Sequence, residues 1–443
     1  MASFESVITD EPDHRAVYSA PARWGLTARG SALCMEDVPL ADIAAAVGTP
    51  TYVYGSGEIA ARYHALARAC SAAPTLVCYA VKANSSQAVL RHLARLGAGA
   101  DIVSGGELQR ALAAGVPADK IVFSGVGKLD DEIDAAIAAG VRSINVESAE
   151  ELGRGAARAG ALGRSAAIAL RLNPDIDPLT HPYLATGLRE SKFGISMADA
   201  LPLARRALEL PGVRLVGVGC HIGSQITDAA PFLASFERLR GAVQALREAG
   251  APLRQLDLGG GLGIAYAPGD PDLDVSALGA ALTAAVGPLG LDLVLEPGRY
   301  LVGAAGVLLT RVIGRKRGDD RSFVIVDAAM NDLIRPALYD AFHLVVPAAL
   351  AAAARPTVRA DIVGPVCECG DFLGKDRLVP WPDPGDLLAV LCAGAYGMSM
   401  ASTYNTRPPA AEVLVREGTF AVTRPRKTIA ELIADERVPA WLA

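Results

Sequence analysis

Between residues 76 and 296, short apolar runs alternate with longer alanine-rich stretches of helical pattern, as in repeated strand-helix units around a parallel sheet. The runs are Leu76 to Lys82, Ala100 to Ser104, Lys120 to Gly125, Arg142 to Glu147, Ala166 to Asn173, Val213 to His221, Gln255 to Gly260 and Leu291 to Glu296, eight in all. Parallel strands are covered on both faces, so they read as continuous apolar segments rather than as alternating ones. Eight such units predict a closed, TIM-like (β/α)8 barrel, with a doubly wound open sheet as the alternative. The stretches between carry helix punctuation. Ser86 to Leu96 opens on serine and stops at Gly97, and Asp130 to Ala139 stops at Gly140.

Beyond about Ala305 the texture becomes β-rich: Val307 to Ile313, Ser322 to Val326, Val358 to Val363, Leu387 to Leu391, Glu412 to Val415 and Thr419 to Val422. These runs predict a second, mostly antiparallel β-barrel domain. Trp24 to Cys34, polar and turn-rich, is expected to supply a strand to it, which makes that domain discontinuous. The expected division is a barrel over 46–304 and a β domain over 20–45 and 305–443, with a short helix at Ile429 to Ile433.

Composition narrows the function classes. The chain has 443 residues, 51% hydrophobic and 20% charged, which provides ample core and excludes a disordered segment. With 42 Lys+Arg against 48 Asp+Glu the net charge is -6, so the basic field that binds nucleic acid is absent. The mean hydropathy of +0.29 comes from alanine. The longest apolar run, Ala341 to Ala354, contains His343 and Pro347 and is shorter than the ~20 residues a membrane span needs. Met1 to Pro12 is acidic without an apolar stretch, so a cytoplasmic location is expected. Seven cysteines, an odd number without paired zinc spacing, read as reduced thiols.

In a barrel, catalytic groups belong at the C-terminal ends of the strands. Lys82 ends the first run; alone it reads as a solvated lysine, but at a buried strand end desolvation favours the free, nucleophilic amine. His221 ends the sixth run, before Gly223 and Ser224, where a flat ring beside a flat cofactor and a hydroxyl on its phosphate fit. Gly259, Gly260 and Gly261 follow the seventh run and are either a tight turn or a backbone cradle for an anion. Glu296 ends the eighth run, followed by Pro297, Gly298 and Arg299. A carboxylate there is placed to hold a proton on a ring nitrogen. Together these parts fit pyridoxal phosphate, whose chemistry needs an amine, a phosphate cradle, a ring partner and a carboxylate. In the β-rich region, Cys367 and Cys369 flank Glu368. They are half of a zinc site, two small buried residues, or a thiol proton donor; no second pair at zinc spacing accompanies them, so no metal is expected.

These residues resemble the fold type III pyridoxal-phosphate decarboxylases, and within them the branch acting on diaminopimelate. The resemblance rests on Tyr79 to Asn84, Asp101 to Leu108, Thr180 to Tyr183 with Thr186-Gly187 and Lys192 to Ile195, His221 to Gln225, Gly259 to Gly261, Glu296 to Arg299, Arg335 to Tyr339, Gly364 to Asp371 and Tyr404 to Pro408, in family order. It implies an alanine-racemase-like barrel with a C-terminal β domain, and decarboxylation of meso-2,6-diaminopimelate to L-lysine and CO2 through a quinonoid, the last step of lysine biosynthesis. It also implies that Lys82 forms the Schiff base, His221 stacks on the ring and Glu296 holds the pyridinium proton. Ser224, Gly260, Gly261, Gly298, Arg299 and Tyr396 would surround the phosphate. Arg299, Arg335, Tyr339, Glu368 and Tyr396 would bind substrate, and Cys367 would protonate its carbon. A homodimer with shared sites follows, Cys367 and Glu368 reaching the partner's site. The family usually has serine where this chain has Cys369. The competing expectations are decarboxylation of ornithine, arginine or carboxynorspermidine, and a catalytically silent pyridoxal-phosphate-binding protein of the same fold.

Overall fold

The structure is a computed structural model that describes residues 15–177, 192–318 and 320–442. The chain divides into two compact units, one formed by Glu58–Ile264 and Pro271–Val302, the other by Met1–Gly57, Ala265–Asp270 and Gly303–Ala443.

The first unit is a closed parallel barrel. Its eight strands are Thr75–Ala80, Gly99–Ile102, Ile121–Phe123, Ser143–Val146, Ala166–Asn173, Val213–Gly219, Gln255–Asp257 and Asp292–Leu295. Each falls on one of the eight apolar runs. The eighth strand pairs with the first through Leu293 and Thr75, and the fourth with the fifth through Ile144 and Ile168, so no edge is left open. Inside, Cys78, Val122 and Val294 are fully buried together, with Leu76 packed against them. Local sequence closes the helices. Gln87–Leu96 follows Ser86 and ends at Gly97 in the left-handed region, φ 101°; Asp130–Ala139 ends at Gly140, φ 72°. Ser104 and Ser148 cap their helices by accepting the N–H groups of Glu107 and Glu151 at 3.2 and 3.1 Å. Lys128 is buried, and its ammonium reaches the carbonyls of Gly125 and Asn145 and the carboxylate of Glu151 at 2.6–2.7 Å. Burial pushes this amine below the ordinary lysine range, and those acceptors compensate its desolvation.

In the second unit, one sheet runs in the order Phe372–Pro380, Thr357–Val363, Ser322–Val326, Gly306–Arg317, Thr51–Gly55, Ala411–Arg416 and Thr419–Arg424. Leu387–Val390 pairs with Gly306–Arg317 and with Val345–Pro347. Pairing is antiparallel except between Ser322–Val326 and Thr357–Val363 and between Ala411–Arg416 and Thr51–Gly55. The terminal helix Ile429–Ile433 falls where the pattern puts it, closed by a capping box between Thr428 and Glu431.

One expectation about this unit is corrected. Thr51–Gly55 belongs to this sheet, so the barrel unit begins at Glu58 rather than at position 46. Its five residues are all buried, which from sequence looks like another barrel strand. The Trp24 to Cys34 segment belongs to this unit and makes it discontinuous, as expected, but its strands stay apart from the large sheet. It forms a separate three-stranded sheet, Thr27–Arg29, Ala32–Met35 and Val38–Pro39, preceded by a tight turn over Pro21–Trp24 that buries Trp24. Short hairpin connections favour pairing with sequence neighbours over a distant edge.

Candidate active site

Strand ends at the C-terminal mouth of the barrel bring the polar residues together. Lys82 follows the first strand in the short turn Val81–Ala83, which Tyr79 steadies by donating its hydroxyl to the Asn84 carbonyl at 2.9 Å. The lysine ammonium lies 3.3 Å from Asp101 Oδ2; the Asp101 side chain is fully buried and the lysine side chain 40% exposed. An amine in that setting is held near the carboxylates yet stays accessible.

Glu296 follows the eighth strand and is buried. Its Oε1 accepts the Ser124 hydroxyl at 3.3 Å, and its backbone N–H donates to Gly259 O at 2.8 Å. Burial first, then the nearby Asp101 and Asp257, holds the Glu296 carboxyl well above the ordinary carboxylate range. Asp257, at the end of the seventh strand, is pushed up to about 6 by burial, and it accepts the Gly259 N–H at 2.8 Å. The two carboxyl groups influence one another, and Glu296 is the one pushed further toward its protonated form. His221 is held well below the ordinary imidazole range by burial and by the Lys82 and Arg171 charges. Its Nδ1 accepts the Gly260 N–H at 3.1 Å, so the ring is neutral with the proton on Nε2.

The glycine turn is a junction as well as a cradle. A Cβ on Gly260 would stand 2.1 Å from Glu296 O, and one on Gly261, φ 94°, 2.4 Å from Gly223 O. Only glycine lets the loops after the sixth, seventh and eighth strands meet. Arg299 is buried, and its Nη2 donates to Ser224 Oγ at 3.0 Å. Gly298 precedes Arg299 at the start of the turn Arg299–Val302. Lys82, His221, Ser224, Gly260, Gly261, Glu296, Gly298 and Arg299 thus all belong to loops after barrel strands of one unit.

Sequence reasoning missed several residues here. Asp101, Asp257 and Ser124 surround Glu296, and Glu107, its carboxyl pushed up to about 7 mainly by burial, lies close enough to feel Lys82 and Asp101. Asp101 and Asp257 lie in strands whose apolar runs were legible, so their position at the mouth was available as a signal. Arg171 pairs with Glu147 at 3.0 Å, whose other oxygen accepts the Gly194 N–H at 2.9 Å. Thr180 to Tyr183 and Thr186-Gly187 lie outside the described residues.

The remaining expected residues belong to the other unit. Arg335 is buried in the helix Arg335–Tyr339, donating to His343 Nε2 at 2.8 Å, with its guanidinium 4.9 Å from the centre of the Tyr266 ring. Tyr339 and Tyr396 are half-buried, Tyr396 in the left-handed region with φ 56°. Cys367, Glu368 and Cys369 are exposed on the loop after Thr357–Val363. Asp371 staples that loop by accepting the N–H groups of Val366 and Met330 at 2.6 and 2.7 Å, and Asn405 Oδ1 accepts the Cys367 N–H at 2.9 Å.

The barrel-mouth residues fit pyridoxal phosphate. Asp101 Oδ1 and Asp257 Oδ2 are buried without a protein hydrogen-bond partner, beside the proton-retaining Glu296, and suit a protonated heteroaromatic ring. Glycine backbone, a serine hydroxyl and a guanidinium suit its phosphate. Among the described residues no group of three or more His, Cys, Asp and Glu is arranged to hold a metal ion, and no helix is long and apolar enough to cross a membrane.

Comparison with known proteins agrees with this geometry. Residues 56–303 match the family described as pyridoxal-dependent decarboxylase, pyridoxal binding domain. The chain is 52% identical over 413 residues to diaminopimelate decarboxylase of Pseudomonas fluorescens, covering 92% of this chain and 97% of that protein. It is 50% identical over 410 residues to the enzyme of the same name from Neisseria meningitidis serogroup A, covering 91% and 98%. Diaminopimelate decarboxylase from Helicobacter pylori, solved in complex with L-lysine, superposes with a TM-score of 0.85 at 38% identity, covering 89% of this chain and 98% of that one.

Proposed function

The chain belongs to the pyridoxal-dependent decarboxylases, and on that premise we propose that it removes one carboxyl group from meso-2,6-diaminopimelate, releasing CO2 and L-lysine. The observation that carries the reading is the placement of Lys82 and a proton-retaining Glu296 after the first and eighth strands, which are hydrogen-bonded neighbours. When bound, pyridoxal phosphate supplies an electron sink for the pair left behind as the carboxylate departs.

The roles follow from the residues present. Lys82 would hold the cofactor through its amine. Glu296 would hold a proton at the ring nitrogen, and its acidic neighbours would favour a cationic ring. The neutral His221 ring would pack against the cofactor without adding charge. Ser224, Gly260, Gly261, the backbone of Gly298 and Arg299, and Tyr396 take the phosphate side. At the distal end of the substrate, Arg299 and Arg335 offer guanidinium groups to the second carboxylate, Glu368 offers a carboxylate to the second ammonium, and Tyr339 adds a hydroxyl. The Cys367 thiol would deliver a proton to the carbon that lost CO2.

Cys367 and Glu368 are exposed, which suits a homodimer in which each chain lends them to the partner's site. Seven free cysteines accord with a reducing, cytoplasmic setting. Measuring CO2 release from meso-diaminopimelate, ornithine, arginine and carboxynorspermidine tests the assignment. Preference for diaminopimelate is expected; preference for any of the others overturns it.

A further inference from the structure

A line of hydrogen bonds crosses the barrel interior from one end to the other. At the N-terminal end, Arg142 precedes the fourth strand and Asp292 opens the eighth; Arg142 Nη2 donates to Asp292 Oδ2 at 2.7 Å, and the two side chains are 22% and 46% exposed. Arg142 Nε donates to Gln255 Oε1 at 2.6 Å, and Gln255 Nε2 to Ser143 Oγ at 3.1 Å. Ser143 Oγ donates to Asn145 Oδ1 at 3.0 Å, Asn145 Nδ2 to Ser124 Oγ at 3.1 Å, and Ser124 Oγ to Glu296 Oε1 at 3.3 Å. The four middle residues are all buried.

Every link donates in the same direction, and the guanidinium dictates it. Arg142 has no acceptor, so Gln255 must turn its oxygen toward Arg142 and its amide N–H toward Ser143. The Ser143 hydroxyl accepts that N–H and has one hydrogen left, which goes to Asn145 Oδ1. Asn145 must then aim its NH2 at Ser124, whose single hydrogen goes to Glu296. Aligned hydrogen bonds polarise one another in a low-dielectric interior. Apolar side chains would fill these positions without the desolvation cost of four buried polar groups.

We propose that Arg142, Gln255, Ser143, Asn145 and Ser124 are positioning residues that transmit the Arg142 charge to Glu296, stabilising Oε1 as an acceptor and leaving Oε2 to hold the cofactor's ring-nitrogen proton. The inference rests on the reading of Glu296 given above. Breaking a link raises the affinity of Glu296 for the proton and draws it away from the ring.

The test uses holoenzyme reconstituted with pyridoxal phosphate labelled with 15N in the ring, whose chemical shift reports protonation directly. Wild type is expected to show a protonated ring nitrogen; if it is neutral, the role of Glu296 itself falls. Gln255→Met and Ser143→Ala are each expected to move the resonance toward the neutral ring and to lower kcat roughly five-fold, with KM little changed. Ser143→Ala removes a single oxygen, which guards against a folding failure of Gln255→Met. Ser143→Thr, which keeps the hydroxyl, is expected to keep the wild-type resonance. The double variant is expected to be no worse than either single one, because one broken link already interrupts the line. A protonated wild-type ring with an unchanged resonance and kcat in the single variants overturns the proposal, as does an additive double variant.

Discussion

The guanidinium of Arg335 donates to His343 Nε2 at 2.8 Å while His343 Nδ1 lies 2.8 Å from the Leu391 carbonyl. The carbonyl accepts only, so the imidazole proton is on Nδ1 and Nε2 is free to accept from the arginine. Tyr266 packs edge-on to the His343 ring, 5.3 Å between centroids, and lies under the guanidinium. A buried arginine is thereby held in one orientation by a neutral acceptor, which leaves its charge for an anionic ligand.

His343→Leu removes that acceptor while filling similar space. KM for diaminopimelate is expected to rise roughly ten-fold, with cofactor affinity unchanged, because a loosened Arg335 loses alignment with the distal carboxylate. Steady-state kinetics alongside a cofactor titration check the split. A fall in kcat at constant KM would disconnect Arg335 from ground-state binding.

Lys82→Ala is expected to abolish the visible absorbance of lysine-bound cofactor, since no other amine is placed beside Asp101 and Glu296 among the described residues. Cys367→Ala is expected to retain that absorbance and to slow CO2 release and lysine formation by about 10²–10⁴-fold, the span typical of a lost proton donor. Cys369→Ser is expected to leave both intact. A larger effect at Cys369 than at Cys367 would move the donor two residues along the exposed loop.

Gly260→Ala places a methyl group 2.1 Å from Glu296 O. Backbone cannot yield as a flexible side chain does, so the ends of the seventh and eighth strands must part, at a cost of about 1–3 kcal/mol. Thermal unfolding is expected to show a lower midpoint, and a cofactor titration weaker binding. Full cofactor affinity would argue that this turn only packs.

Glu107 gives a pH dependence with a definite sign. Burial lifts its carboxyl from 4.5 to about 7, so between those values the folded chain binds more protons than the unfolded one. Stability from this group is therefore present at low pH and is lost as pH rises through about 7. Glu107→Gln still offers an oxygen to the Val103 N–H, which Glu107 Oε2 accepts at 2.7 Å. The variant is expected to flatten the fall in unfolding free energy across that window, measured by denaturant titration at several pH values. An unchanged slope would assign the proton uptake to another group.

Eight barrel strands were legible because each is covered on both faces and so appears as an unbroken apolar run. The same rule misplaces Thr51–Gly55, equally buried but paired with Gly306–Arg317 and Ala411–Arg416. Val345–Pro347 lies within the alanine-rich stretch that masked its pattern, and Phe372–Pro380 alternates with charged residues, so neither was foreseen as a strand. Lys82, His221 and Glu296 were legible because a barrel puts its chemistry at strand ends.

By itself the sequence determined the order of strands and helices, the residues at each strand's end and a set of types suited to pyridoxal phosphate, because periodicity, capping and chain order are local. Only the tertiary structure decided which groups tune them. Burial, with Asp101 and Asp257 nearby, raises the Glu296 carboxyl, His343 orients Arg335, and the line from Arg142 to Glu296 joins four separate barrel segments, with its ends 154 positions apart in the chain. Closing the barrel brings those segments within hydrogen-bond reach, and burial there strengthens interactions that water would otherwise screen.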